Sequence, residues 1–387
     1  MACIYERRTF MKIALVCPDS LPCPPIKSGA IELLIDRMAP YLSRLGHSVT
    51  VFSIQDPSLS NDERMNGVRF IRYDQSTYFN DVLSYCEKRL FDVVQLFNRP
   101  NWVEEMKRAV PDARVYLSLH NLLINHETRD QAALQAYELA DHLITVSKFV
   151  AQDIIKAIPA VSNKITTLYT GEDPKRFTPH FTREGKKIAD KLKGELGIPP
   201  GFHVVLFVGR LLPKKGCHHL INAMKLVIRK YPKTALVIIG SKWYGDRTIS
   251  TYVTKLRKRA LAVSSYIYFT NFIPVDRLPS YYTMSDVLVV PSQWQEPLAR
   301  VQYEAMAAGI PIISSNRGGN PELVQNEKNG CIIDLYTDPR AYAQAIITLL
   351  SNREKRIRIG RENRKLITDR YNFEKYAQRL SNLYETT

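Results

Sequence analysis

The chain has 387 residues, enough for two domains at about 100–200 residues each. Its 45% hydrophobic and 24% charged residues exclude a disordered or collagen-like chain, and no run approaches the roughly 18 apolar residues that span a bilayer. The formal charge of +16 lies wholly in residues 181–387, with 33 basic against 17 acidic residues, whereas residues 1–180 hold 21 of each. Such asymmetry points to an anionic ligand or surface met by the second half, or to a solvated basic surface.

Residues 1–10, MACIYERRTF, place a short apolar start before Arg7 and Arg8, the reverse of secretory-signal order. They are read as an N-terminal extension, with Met11 as an alternative natural start. Short apolar runs at 12–17, 48–53, 68–73, 93–97, 115–119, 142–146 and 165–169 read as buried strands, with amphipathic helices at 30–45 and 148–158. Apolar strands alternating with helices predict a parallel sheet covered on both faces. Residues 171–201 break the pattern with Pro174, Pro179, Pro199 and Pro200 around one charged helical stretch, an interdomain connection and expected hinge. Strands then recur at 204–208, 235–239, 266–269, 287–290, 310–314 and 331–333, and helices at 217–230, 246–261, 300–308 and 339–350. The tail adds helices at 355–368 and 373–384.

The expected architecture is therefore α/β with two Rossmann-like domains, 11–180 and 181–370. In the final segment, 371–387, apolar residues three or four apart must be buried on its own domain or on the first. Six cysteines show neither CxxC nor zinc-finger spacing, which fits a reduced, cytoplasmic setting.

Ligands of open parallel sheets bind beyond the carboxyl ends of the strands, so the residues following each strand carry the functional reading. After 204–208 comes VGRLLPKKG, where Gly209 permits a turn and Arg210 and Lys215 precede a helix. This is a phosphate site or a basic surface loop; the Walker order is absent. In PSQWQEPLARVQYEAMAAGIP, Pro297 is expected in the first helical turn. That would put Glu296 at the helix mouth and Glu304 two turns in, on the same face. Carboxylates there would accept hydrogen bonds from sugar or ribose hydroxyls, or would be a cap and a solvated residue. An unpaired charge at Glu304 within VQYEAMAAGIP would be costly.

Arg210 with Lys215, and Glu296 with Glu304 followed by AMAAGIP, resemble the signature of family 4 glycosyltransferases, retaining enzymes of the two-domain GT-B fold whose domains face a central cleft. The resemblance runs from the Met11 strand to the last helix, and it implies the function. Arg210 and Lys215 would hold a donor diphosphate, Glu296 the sugar hydroxyls and Glu304 the ribose. Leu298-Ala299 stands where the family has Phe-Gly, and Arg300 where it has an aliphatic residue. Arg300 is expected as a third cation toward the diphosphate, or as an exposed side chain.

In the first half, Ser28-Gly29 matches a glycine turn that approaches the diphosphate or acceptor. His120 in LSLHN resembles a histidine near the transferred sugar; the competing reading is a strand-end histidine. His126 and Glu127 would line the acceptor side. His47 is given a structural role, and His218 and His219 fall in the first turns of a helix. Gly318-Gly319 in RGGNPELV turns into a helix near the donor sugar. The base would be read around Asn271, Phe272 and Ile273. QEPLARV with NRGGNPE looks most like the spore-coat-associated branch.

The expectation is a retaining, metal-independent hexosyltransferase. It would move a sugar from a nucleotide-diphosphate donor, a UDP-sugar, to a glycan, polymer, cell-envelope, lipid-linked or spore-coat acceptor. No DxD-like pair follows a strand, and no cofactor beyond the donor is expected. The rival readings are a non-catalytic coat or scaffold protein on the same fold and a nucleotide-sugar epimerase. Nucleic acid is not expected as a partner. Peripheral membrane contact through basic helices near 255–259 and 353–365 is a further expectation.

Overall fold

The computed structural model describes residues 10–26, 29–124, 131–241 and 250–387. Two units make up the chain. The residues up to Thr170 join Phe373–Thr387 in the first, and Gly171–Asn372 form the second.

The strands of the first unit are β1 (Lys12–Val16), β2 (Ser48–Ile54), β3 (Asp62–Met65), β4 (Val68–Tyr73), β5 (Val93–Phe97), β6 (Arg114–Leu119), β7 (His142–Thr145) and β8 (Ile165–Thr167). Its helices are α1 (Ala30–Arg44), α2 (Tyr78–Glu87), α3 (Val103–Ala109), α4 (Gln131–Leu139) and α5 (Lys148–Ala157). The strands order as β3-β4-β2-β1-β5-β6-β7-β8. All pairs are parallel except β3 with β4. The apolar pattern misses β3, DERM, because an edge strand need not be apolar. Its signal is Asn66-Gly67, both at positive φ (52° and 82°), the chemistry of a two-residue hairpin turn.

The second unit contains β9 (His203–Val208), β10 (Thr234–Ile239), β11 (Ile267–Asn271), β12 (Val287–Val290), β13 (Ile312–Ser315) and β14 (Gly330–Ile333). Its helices are α6 (Arg183–Glu195), α7 (Cys217–Lys230), α8 (Thr251–Leu261), α9 (Leu278–Met284), α10 (Val301–Ala308), α11 (Pro339–Leu350) and α12 (Arg353–Asp369). The sheet is wholly parallel, in the order β11-β10-β9-β12-β13-β14. Alternate strand residues Val205, Phe207, Leu236, Ile238, Val287 and Val289 share one core with buried residues of α7, α8 and α11.

The division falls at Thr170/Gly171, ten residues before the sequence-based boundary, because the connection is anchored to the second unit. Glu172 pairs with Arg300 at 2.8 Å. His180 donates its backbone N–H to the Ala308 carbonyl at 2.8 Å. The last helix, α13 (Phe373–Thr386), packs into the first unit. Its Phe373, Tyr376, Leu380 and Tyr384 share a core with Leu34, Ile35, Met38 and Leu42 of α1. Ser381 Oγ lies 2.7 Å from Nε2 of the buried His47, so that histidine ties α13 to the loop entering β2.

Candidate functional site

In the second sheet the chain leaves β9 toward β10 and returns to β12 on the other side, so the loops after β9 and β12 diverge at a switch point. The β9 loop runs through Gly209, Arg210, Lys214 and Lys215 to Gly216. The β12 loop carries Ser292, Trp294, Glu296, Leu298 and Ala299. Gly216 has φ 72°, and a Cβ there would lie 1.8 Å from the Pro291 carbonyl oxygen. The two loops are therefore in backbone contact, further joined by the Gln293 N–H donating to the Lys214 carbonyl at 2.7 Å.

At this junction Lys215 Nζ donates to both oxygens of Glu296, at 2.6 and 2.7 Å. Ser292 Oγ and Trp294 Nε1 also donate to Glu296 Oε2, at 2.9 and 2.7 Å. Glu296 is only 6% exposed, and four hydrogen bonds offset the cost of burying its charge. Lys214 lies 3.8 Å over the centre of the Trp294 ring. Burial, together with Arg210 and Lys215, lowers the Lys214 pKa. Arg210, Lys214 and Lys215 thus form one cationic group beside a buried carboxylate.

The sequence expectation that Glu296 and Glu304 share a helix is corrected. The helix starts only at Val301, because residues before it are held as a loop. The Gly319 N–H donates to the Glu296 carbonyl at 2.8 Å, and Gly318 N–H to Gln295 Oε1 at 2.8 Å. Asn320 Oδ1 accepts from Ala299 N at 2.9 Å and from Gln302 Nε2 at 3.0 Å. The Ala299 amide is thereby taken up by a buried side chain. Leu298 beside it is half-buried.

Glu304 lies in the first turn of α10 and accepts a short hydrogen bond from the hydroxyl of the fully buried Tyr282. Burial raises its carboxyl pKa, opposed by Arg300 and reinforced by Glu172. Arg300, expected toward a diphosphate, sets its guanidinium 2.8 Å from Glu172 and 3.5 Å from the Gly171 carbonyl. Asn271 ends β11 at φ 61°, its side-chain oxygen accepting from Arg257 at 2.8 Å. Phe272 and Ile273 follow, half-buried, at the same carboxyl edge. His218 and His219 open α7, and burial lowers the pKa of both, that of His218 to about 4.

The first sheet has its own switch point between β1 and β5. Asp19 follows β1, and Arg99 follows β5 and donates to Asp19 Oδ1 at 3.0 Å. His120 follows β6. Its N–H donates to Asn98 Oδ1 at 2.7 Å, and its ring stacks on Phe97 with centroids 5.8 Å apart. Gly29 caps α1 with extended backbone, φ 167°. A Cβ there would lie 2.3 Å from Glu32 Oε2, so the missing side chain makes room for this carboxylate. Glu32 is 3% exposed, and burial raises its pKa to about 7 against the pull of Arg99. Ser28, His126 and Glu127 lie outside the described residues.

Sequence reasoning missed Lys214, Ser292, Trp294, Tyr282, Asn320 and Glu32 as members of these clusters. Trp294 and Asn320 stood inside quoted motifs; Glu32 showed only as a charge within the apolar helix AIELLI. Among the described residues, no group of three or more His, Cys, Asp or Glu could hold a metal ion.

Two families match the chain: "Glycosyl transferases group 1" over residues 189–366 and "Glycosyltransferase Family 4" over residues 31–176. "Spore coat protein SA" of Bacillus subtilis (strain 168) is 41% identical over 376 residues, spanning 97% of this chain and 99% of the relative. The "Putative glycosyltransferase YtcC" of the same strain is 38% identical over 379 residues, spanning 97% and 92%. Among solved structures, Anabaena Alr3699/HepE with UDP and glucose superposes with a TM-score of 0.76 at 20% identity, covering 97% of this chain and 100% of that one. Sucrose-phosphate synthase from Thermosynechococcus elongatus gives 0.78 at 20% identity, over 97% and 98%. With two Rossmann-like sheets of the GT-B fold class and relatives matched over nearly their whole length, the chain belongs to the family 4, group 1 glycosyltransferases.

Proposed function

We propose that this protein is a retaining hexosyltransferase. It uses a nucleoside diphosphate sugar, a UDP-sugar, to glycosylate a hydroxyl of a glycan, cell-envelope or spore-coat acceptor. The observation that carries the reading is the convergence of Lys215 on the buried Glu296, beside Arg210 and Lys214 at the switch point. The UDP-glucose bound by Anabaena Alr3699/HepE supports the choice of base.

The difficulty of the reaction is the negative charge that develops on the departing phosphate. Fixed cations aimed at that charge stabilise it more in the transition state than in the ground state. Arg210, Lys214 and Lys215 supply three such cations, so the scheme needs no metal. Glu296 accepts from the sugar hydroxyls once Lys215 turns part of its bonding to phosphate. Glu304, released from Tyr282, accepts from the ribose, and Asn271–Ile273 border the base. The bond from the anomeric carbon to the phosphate oxygen breaks, and the bond to the acceptor oxygen forms on the same face. The acceptor proton passes to the leaving phosphate. From the first unit, Gly29 and His120 are assigned to the same reaction on the family resemblance.

Calorimetric titration with UDP and UDP-glucose tests the donor assignment, with binding weakened in Lys215→Ala; no heat from any nucleoside diphosphate refutes it. The relative named as a spore coat protein favours a second reading, a coat component that retains the fold without turnover. Product analysis with donor and acceptor separates the two, and epimerised donor without acceptor would identify an epimerase.

A further inference from the structure

Two neighbouring helices over one face of the second sheet, α7 and α8, carry charge of a single sign. In α7 and α8 there are seven basic residues, Lys225, Arg229, Lys230, Lys255, Arg257, Lys258 and Arg259, and no acidic one; the Arg340 of α11 is paired with its N-cap Asp338 at 2.9 Å. The inner sides of α7 and α8 form a single apolar core with the sheet, so the charges are on the outer side. Helices α7 and α8 are neighbours there. His218 Nδ1 lies 2.8 Å from the Tyr252 hydroxyl, and Arg259 Nη1 is 3.5 Å from Asn222 Oδ1. Lys225, Arg229, Lys230, Lys255, Lys258 and Arg259 are all exposed.

Two large apolar side chains share this outer surface. Leu226 is 37% exposed between Lys225 and Arg229, and Leu261 is 80% exposed one turn after Lys258. Exposed leucines also occur elsewhere, Leu90 at 75% and Leu335 at 68%; what sets Leu226 and Leu261 apart is that they stand among exposed cations. That combination suits a surface that enters a lipid interface: the cations meet anionic headgroups while the leucines pass beneath them. By contrast, α12 carries Glu354, Glu362 and Asp369 among its seven arginines and lysines, and none of its exposed side chains is a large hydrophobic one.

From this arrangement we propose that the outer face of α7 and α8 docks the protein onto an anionic lipid surface. Both helices run back from the carboxyl edge of the sheet, so Arg229, Lys230 and Leu261 lie toward its amino edge. The loops of Arg210, Lys215 and Glu296 occupy the opposite edge, and docking leaves them uncovered. The docking face contains none of the residues assigned to the donor, so it stands or falls independently of the proposed reaction.

The test is flotation of the full-length protein with vesicles of phosphatidylcholine, alone or mixed with phosphatidylglycerol. The expected result is co-flotation with the mixed vesicles only, weakening as salt rises. Lys225→Glu with Arg229→Glu and Lys258→Glu should lower affinity at least about hundredfold, at about 1 kcal/mol for each basic side chain near the surface. Leu226→Ser with Leu261→Ser should weaken binding several-fold while leaving the charge intact. An unchanged melting midpoint in both variants shows that they fold, and charge reversal at Arg358, Arg361 and Lys365 of α12 should leave flotation unaltered. No co-flotation of the unmodified protein overturns the proposal, as does binding that survives the α7/α8 reversal. Equal affinity for soluble polyphosphate, indifferent to the leucine changes, would assign the face to a polyanion instead.

Discussion

The ammonium of Lys215 sits 2.6 and 2.7 Å from the two carboxylate oxygens of Glu296, across 81 residues of sequence. Each group neutralises the other in a buried setting, and each is freed only when a ligand offers a replacement. In the proposed reaction, phosphate replaces the carboxylate for Lys215, and sugar hydroxyls replace the ammonium for Glu296. Breaking a buried pair from one side costs about 3–5 kcal/mol. Lys215→Ala should therefore lower the melting midpoint and weaken UDP binding. Glu296→Gln should keep most UDP affinity and lose the increment contributed by the attached sugar. Calorimetry with UDP and UDP-glucose on both variants checks this, and equal losses for the two ligands in Glu296→Gln would contradict it.

Trp294 orients that carboxylate through its indole N–H, 2.7 Å from Glu296 Oε2, and gives Lys214 a ring to rest on. Trp294→Phe keeps the ring and removes the donor. A hydrogen bond to a charged group is worth about 1.5–3 kcal/mol, so transfer should fall roughly ten- to hundredfold in kcat/KM, with UDP affinity little changed. Initial-rate kinetics beside a UDP titration distinguish this from a general loss of fold, which would lower both.

At Gly216 the two site loops touch. A methyl group there would fall 1.8 Å from the Pro291 carbonyl oxygen, on a backbone at φ 72°. Gly216→Ala must separate the loops and strain the turn, at about 1–3 kcal/mol for the backbone conformation alone. UDP binding should be lost while the rest of the fold survives. A UDP-induced thermal shift equal to that of the unmodified protein would show that the loops tolerate the separation.

The first unit has a titrating carboxyl in Glu32, its pKa raised from 4.5 to about 7 by burial. The folded state then holds a proton that the unfolded chain releases, so this group's contribution falls as pH rises from 4.5 through 7. The full difference is about 3 kcal/mol at about 1.4 kcal/mol per unit. Glu32→Gln should be more stable than the unmodified protein above neutral pH, with the gap closing below pH 4.5. Urea unfolding across that range measures it, and a gap independent of pH would mean that Glu32 does not titrate there.

Asn320 joins Ala299 to Gln302 through one buried oxygen. Asn320→Ala leaves a backbone N–H without its partner, a cost of about 1–3 kcal/mol. The expected outcome is a raised KM for the donor at nearly unchanged kcat, read by steady-state kinetics.

Local pattern alone was enough to mark the alternation of apolar strands with helices, the doubling of the α/β unit and the placement of Arg210, Lys215 and Glu296 after strands. These are properties of neighbouring residues: buried parallel strands must be apolar throughout, and helices must present one apolar face. Folding settled what depends on residues far apart in the chain. The antiparallel β3 is polar because it lies at an edge, so its sequence lacks the signal of the others. The last helix buries its face against α1, some 340 residues away, and the connection after Thr170 is held by Arg300 rather than by its own neighbours. The same applies at the site. Glu296 finds Lys215 across the switch point, Arg300 finds Glu172, and Glu32 fills the space beside Gly29. Which charge neutralises which is decided by distance and burial, and neither can be read from spacing along the chain.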